Sequence, residues 1–152
     1  FLISASGSNA CTIWDTMSTP EHVTGLTTIR VRYSECDPMG VVHHSVYPIW
    51  FEMGRTELLR SMSERSYKDM EAEGFFLVVA QLNIRYRSPA RYDDTLDLST
   101  HVKDVGKAKI THEYELNRGN QLIATGNTTL ACVNDQGSIS AIPEWLVHTT
   151  TL

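Results

Sequence analysis

The chain has 152 residues, 41% of them hydrophobic and 20% charged, which suits one globular domain with enough apolar material for a core. A net charge of -5 excludes a general nucleic-acid binder, which needs a basic surface to meet phosphates, although it leaves room for a local basic patch. No apolar run approaches the ~18 residues of a membrane span. Three cysteines, Cys11, Cys36 and Cys132, have neither metal-ligand spacing nor the even count of a disulfide framework, so a reducing cytoplasm is the expected location.

Residues 1–25 show no hydrophobic period and read as an N-terminal extension. They are rich in Ser, Thr, Gly and Asn, and lack the basic and apolar regions of a signal peptide. Ile13-Trp14 suit packing against the body or a partner subunit. The domain proper is expected over residues 26–152. From 26 to 35, Ile29, Val31 and Tyr33 alternate with Arg30, Arg32 and Ser34, the period of a half-buried strand. Asp37-Pro38-Met39-Gly40 then matches a type I turn: Asp suits the first position, Pro presets φ at the second, and Gly suits the fourth.

A long helix follows over 45–61. Ser45 suits the N-cap, and Pro48 falls in the first turn, where its missing N–H is tolerated. Val46, Ile49, Trp50, Met53 and Leu58, widened by Phe51 and Leu59, predict a mostly buried helix. Ser63 or Ser66 starts a short polar helix that Gly74 ends. From residue 75 the pattern becomes β. Ala80, Leu82, Ile84 and Tyr86 form one alternating run. Leu96 to Val102, Ala108 to Leu116, and Leu122 to Cys132 form three more, separated by turn-forming stretches. Short connections make neighbouring strands antiparallel. One long apolar helix on one antiparallel sheet is an α+β domain.

The chemistry-bearing groups collect around the first turn. Asp37 at a helix start has two readings. It caps the turn and meets the helix dipole, or it stands beside free N–H groups that receive a substrate oxygen. Cys36 next to Asp37 suggests a Cys–His pair with His44, but a lone Cys is more often a small buried hydrophobe. His43, His44 and Asp37 suggest a metal. Adjacent residues on a tight turn seldom face one ion, however, so no metal or other cofactor is expected.

Taken together, Tyr33, Asp37, Gly40, His44, Tyr47, Glu52 and Arg55 resemble the opening motif of the hotdog-fold acyl-CoA thioesterases, in the 4-hydroxybenzoyl-CoA thioesterase-like branch that includes the YbgC-like, Tol-Pal-associated type. The likeness continues in Val78-Val79, in Arg87-Ser88-Pro89-Ala90-Arg91 with Asp93-Asp94 behind it, and in Ala141-Ile142-Pro143. It implies an antiparallel five-stranded sheet wrapped around one central helix, and a homodimer or a dimer of dimers with sites at the subunit boundary. The implied substrate is an acyl-CoA, or an acyl carrier protein thioester. Asp37 is then nucleophile or general base, the helix start near the His44 N–H is the oxyanion site, His44 binds the carbonyl or shuttles a proton, and Tyr33 orients either group. Gly40, Val41 and Tyr47 are expected at the substrate, and Arg91, Lys107 and Lys109 at the coenzyme A phosphates. Glu52 is expected to pair with Arg55 or Arg85. A hotdog enoyl-CoA hydratase or dehydratase and a non-catalytic acyl-binding protein are the alternatives.

Overall fold

The computed structural model describes residues 23–151; the Ile13-Trp14 packing and Cys11 lie outside them. The elements in chain order are β1 (Thr24–Arg30), α1 (Val46–Met62), α2 (Tyr67–Ala72), β2 (Phe75–Tyr86), β3 (Thr95–Val105), β4 (Lys109–Arg118), β5 (Gln121–Asn134) and α3 (Glu144–Thr150). The five strands form one antiparallel sheet in the order β1-β3-β4-β5-β2. Among the described residues no helix is long and apolar enough to cross a membrane.

Local chemistry sets the boundaries. β1 starts at Thr24, inside the expected extension, and stops at Arg30 instead of continuing to residue 35. Residues Tyr33–Glu35 turn into a 3-10 helix because the Glu35 carboxylate accepts the Arg32 N–H at 2.7 Å and the Arg32 guanidinium at 2.8 Å. At α2, Ser66 and Asp69 form a capping box, and Gly74 takes φ +83 just beyond the end, as its sequence predicts. Within β2 the alternation shifts at a bulge between Val79 and Gln81, which takes Ala80 out of phase with Leu82, Ile84 and Tyr86.

One face of α1 carries the core. Tyr47, Trp50, Phe51, Gly54, Leu58 and Leu59 are buried against Leu96, Leu98, Tyr114, Leu116 and Ile123 of the sheet and their neighbours. Gly54 lets the helix approach closely, since a Cβ there would stand 2.4 Å from Thr100 Oγ1. Ile49 and Met53 were expected in the buried stripe, yet are 54% and 41% exposed. Ile49 faces β2, whose inward side chains Leu82 and Tyr86 are also exposed, so a groove stays open between α1 and β2.

Beneath α1 lies His112, 2% exposed, with Nδ1 unpartnered among the described residues. Burial and the nearby Arg55 charge lower its pKa to about 3. Tyr114 on β4, Thr128 opposite on β5 and Arg55 on α1 are the polar groups around it. Its unfolded pKa is ~6.5, so the unfolded chain binds the extra proton and stability falls as pH drops below that value. The His112 share reaches about 3 kcal/mol by pH 4. His112→Leu is expected to flatten the stability profile between pH 6.5 and 4, read by urea unfolding at each pH. An unchanged slope would contradict the assignment.

Candidate active site

The loop between β1 and α1 is held at both ends. Val31 N–H donates to the Asp94 carbonyl at 2.9 Å, and Val42 N–H to the Ala90 carbonyl at 2.8 Å. Glu35 fastens the loop to α1: its carboxylate accepts the buried Trp50 Nε1–H at 3.2 Å, and its carbonyl accepts the His43 N–H at 2.9 Å. Burial alone would raise the Glu35 pKa, but hydrogen bonds from Arg32 and Trp50 outweigh it and hold the carboxylate below its ordinary value. That contribution is therefore present above the unfolded pKa and lost as pH falls through the folded one. Glu35→Ala strands a buried indole N–H, and is expected to cost about 2 kcal/mol in urea unfolding at neutral pH.

Inside this frame the Asp37-Gly40 turn forms as its sequence predicts. Gly40 N–H donates to the Asp37 carbonyl at 2.9 Å, and Gly40 sits at φ +75, where a Cβ is strained. Asp37 Oδ1 accepts the Met39 N–H at 2.8 Å. The carboxylate thus does what a turn cap does, and Asp37 also lines an open cleft of ≈ 340 Å³ with Val41, His44, Tyr47, Tyr86 and Arg87.

His44 lies two residues before α1. Its carbonyl accepts the Tyr86 hydroxyl at 2.9 Å, which fixes the peptide, and its N–H has no partner among the described residues. Ser45 precedes the helix, but its Oγ bonds His43 Nδ1 at 2.7 Å instead of capping the helix N–H groups. The His43 carbonyl takes the Val46 N–H at 3.0 Å, and Pro48 has none to give. The His44 and Tyr47 N–H groups are therefore the ones left without a partner among the described residues, at the positive end of the helix dipole and on residues that line the cleft. Tyr47 is buried with its ring edge-on to Tyr86 at 4.9 Å, and burial raises its phenol pKa.

Of the residues expected at the site, Asp37, Val41, His44 and Tyr47 come together, and Gly40 shapes the turn beside them. Arg91 reaches the Gly40 carbonyl with Nη1 at 3.4 Å. Tyr33 is 80% exposed, with its ring edge-on to Tyr92 at 5.2 Å, and no hydrogen bond joins it to Asp37 or His44. Lys107 and Lys109 stand at the β3–β4 turn, while the Asp37 cleft lies near the Thr95 end of β3, about 30 Å away along the strand. One chain does not bring them together. Cys36 Sγ points back to the Arg32 carbonyl. Glu52 pairs with Arg55, as expected, at 3.2 Å.

Tyr86, Arg87 and Ser88 line the cleft without having been singled out. The signal for them was the 87–91 motif, which places a strand end and a proline turn next to each other. A larger trough of ≈ 430 Å³ on the outer sheet face, between Arg85, His101, Glu113 and Asn127, includes no helix start, and its Glu113 pairs with Lys103.

Comparison with known proteins bears on this geometry. The model of the thioesterase-like superfamily matches residues 31–149. The acyl-CoA thioesterase YbgC of Haemophilus influenzae is 35% identical over 106 residues, covering 70% of this chain and 78% of that protein. The putative acyl-CoA thioesterase YneP of Bacillus subtilis is 32% identical over 123 residues, covering 77% and 88%. Among solved structures, the DHNA-CoA thioesterase of Staphylococcus aureus superposes with a TM-score of 0.77 at 30% identity, over 82% of this chain and 87% of that one. The antiparallel sheet curled on α1 is the hotdog architecture, and the chain belongs to the thioesterase-like superfamily.

Proposed function

We propose that this protein hydrolyses the thioester of an acyl-CoA to the free acid and coenzyme A. The observation that carries the reading is that a carboxylate, Asp37, shares one cleft with the start of α1, where the His44 N–H has no partner among the described residues. In this reading the thioester carbonyl oxygen accepts the His44 N–H. The helix dipole favours the negative charge that develops there as the carbonyl carbon is attacked. Asp37 attacks the carbonyl carbon and expels the thiolate to give a mixed anhydride that water opens, or it takes a proton from the attacking water. The His44 imidazole, protonated beforehand, is proposed to give its proton to the leaving sulfur and to regain one from the attacking water or the Asp37 carboxyl. Val41 and Tyr47 wall the acyl entrance, and Arg87, which lines the cleft, and Arg91, bonded to the Gly40 carbonyl, are the cations proposed to meet the coenzyme's phosphates. Lys107 and Lys109 would serve only a site on another subunit. Tyr33 belongs to this reading only through the loop it shares with Asp37.

The reading includes a homo-oligomer. β2 is an edge strand with Val78, Val79 and Leu82 exposed, and pairing that edge with a second copy hides both the open backbone and the apolar side chains. The test is release of free thiol from a panel of short, long and aromatic acyl-CoAs. Turnover of at least one class supports the proposal. Hydration of an enoyl-CoA without thiol release, or binding without turnover, would replace it with a hydratase or an acyl-binding protein.

A further inference from the structure

One side chain from outside the β1–α1 loop holds the peptide between His44 and Ser45. Tyr86, the last residue of β2, donates its hydroxyl to the His44 carbonyl at 2.9 Å, across 42 positions of chain. The other edge of that peptide, the Ser45 N–H, reaches only His43 Nδ1 in the same loop, at 3.3 Å. The preceding peptide, between His43 and His44, is held at its carbonyl by the Val46 N–H at 3.0 Å. Its N–H is the His44 N–H, which has no partner among the described residues. The two peptides meet at the His44 Cα, so only the two soft dihedrals of one residue separate the Tyr86 bond from that donor.

Tyr86 stands on a firm base. Its backbone pairs with Ala124 of β5, and the next two N–H groups, of Arg87 and Ser88, both donate to the Ile123 carbonyl, at 2.8 and 3.1 Å. Its ring meets the buried Tyr47 ring edge-on, with centroids 4.9 Å apart. Partial burial raises its phenol pKa, so the hydroxyl keeps its proton and stays a donor at neutral pH.

Folding gains little from this bond. His44 is exposed and Tyr86 is 49% exposed, so water can answer the carbonyl if the phenol leaves. What water does not supply is direction. A donor stabilises a developing oxyanion best when it is already aimed as the charge appears. We infer that Tyr86 is a positioning residue for thioester hydrolysis: its hydroxyl holds the His44 backbone so that the His44 N–H stays aimed at the substrate carbonyl. This rests on the thioesterase reading above. Tyr86 acts through the His44 peptide and not on the reacting atoms. Aim matters most in the transition state, so its loss shows in kcat rather than in KM.

The experiment compares the parent with Tyr86→Phe, which removes the hydroxyl and keeps the ring against Tyr47. Thiol release is followed on the acyl-CoA of the panel that the parent turns over best. The kcat is expected to fall by about tenfold or more, since a displacement of about 1 Å can cost about a hundredfold. KM should stay within about twofold and the melting temperature within about 2 °C. In amide NMR spectra of the free proteins, the His44 resonance should shift or broaden in the variant. An unchanged kcat would overturn the inference, as would an unchanged His44 resonance. A rise in KM alone would make Tyr86 a wall for the substrate, and a larger loss of melting temperature would make the bond structural; either outcome also overturns it. All four leave the thioesterase reading intact. No thiol release by the parent from any member of the panel would overturn both.

Discussion

Phe51→Ala is expected to cost about 3–5 kcal/mol, out of the 5–15 typical of a whole domain. Phe51 is fully buried, and its ring lies flat on Tyr114 with centroids 4.3 Å apart and 2° between planes. The ring fills the space over Gly126, where a Cβ would come within 2.4 Å of Phe51 Cε2 and 2.9 Å of the Asn83 carbonyl oxygen. Truncation opens a cavity where α1 crosses the sheet, and the surrounding strands cannot collapse into it. The melting temperature should drop by about 10 °C or more. Gly126→Ala should also destabilise the parent, because ring and backbone leave no room. In the Phe51→Ala background that second penalty should shrink without vanishing, since the Asn83 carbonyl remains. Additive penalties would show that the two positions are not coupled.

Much of this architecture is written in short-range chemistry. Asp37-Pro38-Met39-Gly40 turns where turn residues predict, Ser66 and Asp69 cap α2, Gly74 ends it, and the alternation of Leu96 to Leu116 gives the inward face of β3 and β4. Sequence patterns stop short where a contact between distant segments decides. Tyr33 keeps the period of β1 but leaves the strand, because Glu35 bonds the Arg32 backbone and then the Trp50 indole on α1. Ile49 fits a buried stripe but faces the gap left by a half-covered β2, and Met53 fits the stripe yet stays exposed. Arg87 and Ser88 enter the cleft because the end of β2 lies beside the β1–α1 loop, a neighbour relation that spacing along the chain does not contain. Lys107 and Lys109 fail to reach it for the same kind of reason: the β3–β4 turn is at the other end of the sheet. The likeness of motifs pointed to Asp37 and His44, which the fold brings to one cleft, and strand order determined which cations stand near it.

Asp37→Asn isolates the chemistry from the turn. Asparagine keeps an acceptor for the Met39 N–H, the bond that Asp37 Oδ1 makes at 2.8 Å, so the turn and the Gly40 geometry should survive. Asp37 is half-buried, and a near-isosteric exchange that keeps this bond should leave stability within about 0.5 kcal/mol. In the proposed mechanism it removes the negative charge that would attack the carbonyl or accept water's proton, a loss worth about 10²–10⁴ in rate for a general base and more for a nucleophile. His44→Ala keeps the backbone N–H and should therefore be milder than Asp37→Asn, since the proposed oxyanion donor remains. The most direct measurement is kcat for thiol release by the parent and by Asp37→Asn on the best acyl-CoA of the panel, with melting temperatures taken on the same samples. The account predicts a fall of at least about 10²-fold with the melting temperature unchanged. A variant that folds like the parent and turns over at a comparable rate would leave Asp37 as a turn cap and move the chemistry elsewhere.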